Sequence, residues 1–544
     1  MEETERMLLY RKLRFLVTDD FENFRKSLRQ MLRTFGAEKI EMAANGNETI
    51  AKCSYEHFDV LICDYNLGSG KNGQQTLEAL RHQRVLKHTA LFVIVTAETS
   101  RDIVMSAREY RPDTYIIKPI TQAVLKKRLD GLIEQRQALY PINHALDLGN
   151  KQEALQLCQQ LLEQHPRYRN AIRKLQAELH CQLGQHKQAR SIYSGVLANR
   201  ELAWARLGMG QVALASGDAD EAIAELETLI TNQPHLVEAY DHLAQALRLK
   251  GKDQQAQDIL QQAVEISPLA VLRQRDLARV AAQNQDMDTA VGAWRATVKL
   301  GENSVHDDPE NYLGLSRVLS ELSDGDDSTE GRQYADEALN TLRTLGGRFK
   351  EDPGADLQRT LVAARIYAGQ KQPDKGHTLL KQIKDQLDPE VLTADQGLEY
   401  ARALYALKDP GLAQNVLNRL AERFENDSEV LEAIEALMDE PVSFQHKRKA
   451  RTLNREGISA FENNQLEAAT IAFSQALELV PQHPALNLNL VQVLLKGAND
   501  QQSRDKTLLQ RCQGCLNQLR HLPPQHRQYK RYQHLQERIQ KLMH

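Results

Sequence analysis

Several residues able to do chemistry stand where short apolar runs end in the first quarter of this chain. Leu13–Thr18 runs into Asp19 and Asp20, and Phe58–Cys63 into Asp64. Leu91–Val95 runs into Thr96 and Ala97, and Thr114–Ile117 into Lys118 and Pro119. Parallel strands of one open sheet place such positions around one crevice, at their carboxyl ends. Three carboxylates sharing a crevice raise one another's pKa unless a cation is present. A small set of hard oxygen donors suits Mg²⁺, which keeps several of its waters. Asp64 is then the carboxylate available for covalent chemistry. Lys118 offers a positive charge, and Thr96 a hydroxyl, to a phosphoryl group placed there. Pro119 restrains the Lys118 backbone, because proline restricts both itself and the residue before it.

The elements that must position this set can be read from residues 13–133. The apolar runs above, with Ile40–Ala43, are four to six residues long and rich in Val, Ile and Phe, as buried parallel strands are. Helix-like segments separate them at Asn23–Thr34, Gly46–Tyr55, Gln74–His82, Thr99–Glu109 and Gln122–Ile133. Five strands alternating with five helices predict an α/β doubly wound five-stranded parallel sheet of the flavodoxin-like kind.

This set resembles the CheY-like receiver domain of two-component response regulators over about residues 13–133, through Asp19, Asp20, Asp64, Thr96, Tyr115 and Lys118-Pro119. The resemblance implies that Asp19 and Asp20 hold Mg²⁺ with Asp64 and the backbone carbonyl of Asn66. It implies that Asp64 accepts a phosphoryl group from a sensor histidine kinase, and that Lys118 contacts that group. Thr96, with Ala97 beside it, and Tyr115 form the implied switch. Such a domain is a phosphoacceptor rather than an enzyme, at most catalysing its own phosphorylation from a donor and slow dephosphorylation. One departure concerns the loop after Asp64, which reads Tyr-Asn-Leu-Gly-Ser-Gly-Lys-Asn-Gly up to Gly73 where Met-Pro and then Gly is common. The extra glycines bear on metal affinity and phosphoryl lifetime but remove no ligand. Taken singly, Asp19 and Asp20 read equally as helix-capping carboxylates, Thr96 as another cap and Lys118 as a solvated lysine. Together those readings require four coincidences at four strand ends.

After about residue 135 the strand signal stops. Gly149, Gly184, Gly217 and Gly251 recur at spacings of 35, 33 and 34, each followed five residues later by Ala154, Ala189, Ala222 or Ala256. Ala290 continues the series, and Pro166, Pro234 and Pro268 close three of the units. A helix–turn–helix repeated at this period is the tetratricopeptide (TPR) pattern. Small residues such as Gly210 with Ala222, Ala244 with Ala256, and Ala278 with Ala290 let paired helices touch. The pattern returns at 450–483 with Gly457, Ala460, Ala469, Phe473, Ala476 and Pro481, before a further helix, Ala485–Lys496. An all-α TPR superhelix is therefore expected after the α/β domain. The expected organisation is a tail at 1–12, the α/β domain at 13–133, repeats at 134–304, and divergent helical repeats at 305–445. A repeat with its following helix at 446–500 and a basic helical cap at 501–544 complete it. Ser323–Thr329, with Asp324, Gly325, Asp326 and Asp327 in a row, is expected to be a flexible insertion.

Composition narrows the function classes. The 544 residues carry a net charge of −4, with 41% hydrophobic, 26% charged and only 5% aromatic residues. The low aromatic share suits helical repeats, and the charge argues against a chain that is basic overall. The N-terminus lacks a signal-peptide core and no apolar stretch reaches membrane-spanning length, so a cytoplasmic location without membrane insertion is expected. Of six cysteines, only Cys512 and Cys515 are closely spaced, and a metal or redox site would need further ligands. Basic stretches lie at His446, Lys447, Arg448, Lys449 and Arg451, and in the tail from Arg504 to Lys541. Tail positions Leu535, Ile539 and Leu542 follow helical spacing, which favours a capping helix over nucleic-acid contact. The sequence has no recognisable DNA-binding or cyclic-nucleotide domain, so the expected output is protein binding. The resemblance thus extends to receiver–TPR response regulators, with a histidine kinase and a further signalling protein as partners and a homodimer allowed. The rivals are a nucleic-acid-associated regulator using the basic tail and a phosphate sink on a passive scaffold.

Overall fold

The computed structural model describes residues 3–97, 110–439, 444–497, 506–520, 522 and 528–543. The expected helix at Thr99–Glu109 lies outside them. The chain divides into two units, Met1–Asn311 and Tyr312–His544.

The first unit opens with helix α1 (Glu3–Lys12) where a tail is expected. Tyr10 holds it down: the ring is buried against Phe15 and Phe35, and its hydroxyl donates to Asp130 at 2.9 Å. Strands β1 (Arg14–Thr18), β2 (Lys39–Ala43), β3 (Val60–Asp64), β4 (Leu91–Thr96) and β5 (Thr114–Ile117) form one parallel sheet in the order β2-β1-β3-β4-β5. β3 and β4 are buried along their whole length, which explains their unbroken apolar character. Alternate residues serve two cores. Phe15, Val17, Ile62 and Val93 meet one layer of helices, and Leu16, Leu61, Phe92 and Ile94 the other.

Helix α2 (Glu22–Thr34) starts after Phe21 without a side-chain cap, whereas α3 (Gly46–Tyr55) and α4 (Gly73–His82) start where an asparagine precedes apolar periodicity. Asn45 caps α3 by accepting from Glu48 N, and Asn72 and Gln75 cap α4 reciprocally. The helix expected to end at Ile133 does not end there. α5 runs unbroken from Gln122 to Asp147, through Pro141, and becomes the first helix of the repeats. Its far end returns to the sheet domain: the Asp147 carboxylate accepts from Thr89 N at 3.2 Å and Thr89 Oγ1 at 2.7 Å.

The repeats continue as helix pairs 169–182 with 186–197, 203–215 with 219–232, 237–249 with 253–266, and 271–283 with 287–301. Gly149, Gly184, Gly217 and Gly251 end helices in the left-handed conformation at φ +68 to +79°. At each, the next residue's amide reaches back to a carbonyl in the last helical turn, as Asp218 N does to Ala213 O at 2.9 Å. The close approach expected of Gly210 is real, since a Cβ there would sit 2.7 Å from Leu226 Cγ. Gln285 continues the glycine series at φ +65° without being glycine.

The second unit is helical throughout its described residues. Gly457 fits against Phe473, where a Cβ would lie 2.6 Å from the ring. In the divergent middle third, Lys371 and Lys408 take the left-handed place at helix ends, as Asn464 does in the repeat that follows. The Ser323–Thr329 segment is pinned rather than loose: Gly325 N donates to Gly369 O at 3.2 Å, and Gln370 Nε2 to Ser323 O at 2.7 Å. Glu399 is fully buried, with Arg317 at 3.1 Å, Arg365 at 3.4 Å and Arg402 at 3.5 Å. Burial works to raise its pKa, but the charges of Arg365, Arg317 and Arg402 hold it at about 2. At the C-terminal end, Leu509, Cys512, Leu516, Leu535 and Ile539 form a core with Leu488 and Val491, as a capping element does. All six cysteines are free.

A left-handed non-glycine residue carries a steric cost that glycine avoids. Gln285→Gly and Lys408→Gly are each expected to stabilise the chain by about 0.5–1 kcal/mol, net of the extra freedom glycine has when unfolded. Denaturant unfolding reads this directly, and a lower midpoint for either variant would contradict the helix-end geometry.

Candidate functional site

Sheet register assembles the site. Thr18 pairs with Cys63, Asp64 with Val95, and Thr96 with Ile117. Asp19, Asp64, Thr96 and Lys118 therefore arrive at one edge. A carboxylate oxygen from each of Asp19, Asp20 and Asp64 lies within 4.8 Å of the others. Asp19 and Asp64 are buried and Asp20 is exposed. Lys118 Nζ sits 2.9 Å from Asp19 Oδ2 and 3.1 Å from Asp64 Oδ2. Asp19 is further fixed by Phe21 N, which donates to its Oδ1 at 2.8 Å.

The electrostatics follow from this crowding. Burial pushes the Asp64 carboxyl up to about 6; Lys118 pulls against that shift, while the Asp19 charge adds to it. Burial also disfavours the Lys118 charge, yet its hydrogen bond to Asp19 and the charge of Asp64 leave its pKa raised. The donor set thus fits a divalent cation: three convergent hard-oxygen groups bring more negative charge than one lysine balances. Held there, the cation would neutralise the crevice for an incoming anionic group.

The other sequence-derived positions surround this cluster. Thr96 is buried at the end of β4, and Ala97 follows it in the open. Tyr115 pairs with Ile94, two residues before Thr96, so Thr96 and Tyr115 share a face of the sheet. The Tyr115 hydroxyl is buried with no hydrogen-bond partner among the described residues, and burial drives its pKa upward. Lys118 N donates to Thr96 O at 2.7 Å, and a cis peptide bond joins Lys118 to Pro119. Asn66 begins the glycine-containing loop, its side chain accepting from Gly68 N at 3.3 Å. Gly73 ends that loop in contact with Asp64, where a Cβ would lie 2.2 Å from the Asp64 carbonyl oxygen.

Two positioning residues carry no distinctive sequence signal. Phe24 lies under the Lys118 ammonium, 4.1 Å from nitrogen to ring centroid, and Arg25 donates to the Asp19 carbonyl. Both look like ordinary residues of α2.

A five-stranded parallel sheet in this order, with an acidic cluster and a lysine at its carboxyl edge, defines a receiver domain. Residues 15–130 match the response regulator receiver domain family, and residues 207–271 match the tetratricopeptide repeat. Chemotaxis protein CheY-3 of Vibrio cholerae is 30% identical over 128 residues, covering 24% of this chain and 97% of that protein. Chemotaxis protein CheY of Pseudomonas aeruginosa is 31% identical over 123 residues, covering 23% of this chain and 98% of that protein. A solved structure of Vibrio cholerae chemotaxis protein CheY4 is 27% identical, covers 22% of this chain and 97% of that one, and gives a TM-score of 0.21. The chain belongs to the CheY-like response regulator family, with its receiver domain at the N-terminus and a TPR region later in the chain.

Gly73 is the position least able to accept a side chain here. Gly73→Ala is expected to destabilise the receiver by roughly 1–3 kcal/mol, since the contact is with backbone rather than a flexible side chain. Unfolding of the full chain followed by hydrogen exchange in β3 and α4 checks this; unchanged protection would refute it.

Proposed function

We propose that this chain is a cytoplasmic response regulator that accepts a phosphoryl group on Asp64 from a sensor histidine kinase and signals through protein contacts of its TPR array. The observation that carries this reading is the Lys118 ammonium bridging Asp19 and Asp64 beside Asp20. In the proposed transfer, an Asp64 carboxylate oxygen attacks phosphorus, the bond to the kinase histidine nitrogen breaks, and an acyl phosphate forms. Asp19, Asp20, Asp64 and the Asn66 carbonyl would hold Mg²⁺. Lys118 would pair with a phosphoryl oxygen. Thr96, with small Ala97 leaving room beside it, would donate its hydroxyl to the same group. Tyr115, whose hydroxyl has no hydrogen-bond partner among the described residues, would move with Thr96 as the switch.

The output reading rests on the tetratricopeptide region, an architecture that offers extended surfaces for protein binding. Among the described residues no helix is long and apolar enough to cross a membrane. The basic tail supports the nucleic-acid alternative less than its composition suggests. Arg531 donates to Asn489 at 2.8 Å and Gln492 at 2.6 Å, and Arg511 to Ser474 at 2.9 Å, so these cations serve the cap. Arg504, Arg527 and the side chains of His446, Lys447 and Arg448 lie outside the described residues.

A small phosphodonor with Mg²⁺ is expected to label the wild-type chain and to leave Asp64→Asn unlabelled, as read by intact mass. Equal labelling of the two, or none of the wild type, refutes the site. Affinity capture with and without the donor is expected to give different partners for wild type and one unchanging set for Asp64→Ala. An identical set under all conditions points to the passive phosphate sink. Nucleic-acid binding is expected to be weak at physiological salt. Tight binding that falls steeply with salt and is lost on removing residues 504–544 would favour the nucleic-acid reading.

A further inference from the structure

The loop and helix that follow Asp64 do not face solvent alone. They meet a turn of the helical array at residues 302–306, within the first unit. Ser304 Oγ donates to Glu78 Oε2 at 2.8 Å, and His306 Nε2 lies 3.0 Å from Glu78 Oε1. Gln75 Nε2 donates to the Glu302 carbonyl at 3.2 Å, and Lys71 Nζ to the Asn303 carbonyl. Glu78 and Ser304 are both 8% exposed, so the contact excludes water from the groups it pairs. The turn has its own shape: Asn303 is left-handed at φ +65°, and Ser304 N donates to Gly301 O at 2.8 Å.

Two of these four contacts, those of Gln75 and Lys71, come from the loop and cap that follow the phosphoacceptor. α4 begins at Gly73, whose N–H donates to Tyr65 O at 2.8 Å and whose Cα backs onto the Asp64 carbonyl. The start of α4 is held by the reciprocal cap, with Gln75 N donating to Asn72 Oδ1 at 2.8 Å and Asn72 N to Gln75 Oε1 at 3.1 Å. One side chain, Gln75, therefore closes the cap with its oxygen and grips the turn with its nitrogen. Displacing the backbone after Asp64 shifts the cap, and the cap carries the amide that holds Glu302. Lys71 lies in the same loop, between Gly70 and the capping Asn72.

We infer that the 302–306 turn is the array's docking surface for the acceptor loop and α4, that Gln75 is the positioning residue linking it to Asp64, and that phosphorylation releases it. The direction follows from charge. Lys71 now donates to a neutral carbonyl, and a phosphoryl group on Asp64 would offer it an anion, for which a hydrogen bond is roughly twice as strong. A second bridge, Arg111 to Glu238 at 3.0 Å through both pairs of atoms, also joins the receiver to the array but does not involve the acceptor loop. The inference rests on the phosphoacceptor reading above and adds where its signal leaves the receiver.

The test uses the full chain, with acetyl phosphate and Mg²⁺ as the probe. Amide exchange at 302–306 and labelling of Asp64 are measured in the same samples. On labelling, exchange at the turn is expected to rise roughly tenfold in the wild type and not in Asp64→Asn. Ser304→Ala, on the array side of the contact and outside the acidic cluster, should raise exchange at the turn without a donor and leave labelling intact. Gln75→Ala should also raise it, with no further rise on labelling. A labelled wild-type chain with unchanged or slower exchange at 302–306 overturns the inference while leaving the phosphoacceptor reading in place. Absence of labelling fails that reading instead. A Gln75→Ala chain that still responds in full removes Gln75 from the route.

Discussion

The Lys118 ammonium is the interaction on which the receiver's chemistry depends. Two buried carboxylates at one sheet edge repel each other through a medium poorer than water at screening charge. Lys118 lies within 3.1 Å of both and rests on the Phe24 ring. It reaches them because the parallel register sets the end of β5 level with the ends of β1 and β3. The same register brings Thr96 to that edge, bound through its carbonyl to Lys118 N. A one-residue slip in β5 would turn the lysine to the other face of the sheet and leave Asp19 and Asp64 uncompensated. Burial still outweighs this pairing at Asp64, whose carboxyl stays above the usual carboxylate range despite the lysine.

Much of this was legible in the sequence because burial on both faces of a parallel strand leaves a plain mark. β3 and β4 read as unbroken apolar runs, and the residue after each run falls at the crevice. The recurrence of Gly149, Gly184, Gly217 and Gly251 was legible for a different reason: helix ends that turn left-handed favour a residue without a side chain. Where Gln285, Lys371 or Lys408 takes that place the period fades, although the backbone does the same thing. The middle third looked irregular partly for that cause. Its Glu399 network was invisible because Arg317, Arg365, Glu399 and Arg402 come from three helices and have no shared local pattern.

Other features escaped because they depend on what lies across from a residue. Tyr10 looks like one aromatic in a charged segment, and only its pocket between Phe15, Phe35 and Asp130 makes α1 part of the domain. Glu78 reads as a solvated helix position until the 302–306 turn covers it. Gly73 closes the loop in the sequence, but its contact with the Asp64 carbonyl is a property of the folded backbone.

The unbroken α5 has a mechanical meaning. A helix of 26 residues is a strut about 39 Å long, clamped near its start by the receiver core and, through Asp147, again at its far end. The junction between sheet domain and repeats is thus a beam with two supports rather than a tether. Rotation of one part about a free joint is denied to it; bending or twisting along the beam is what remains. Pro141, which contributes no backbone N–H, leaves one hydrogen bond out of the helix between those two supports.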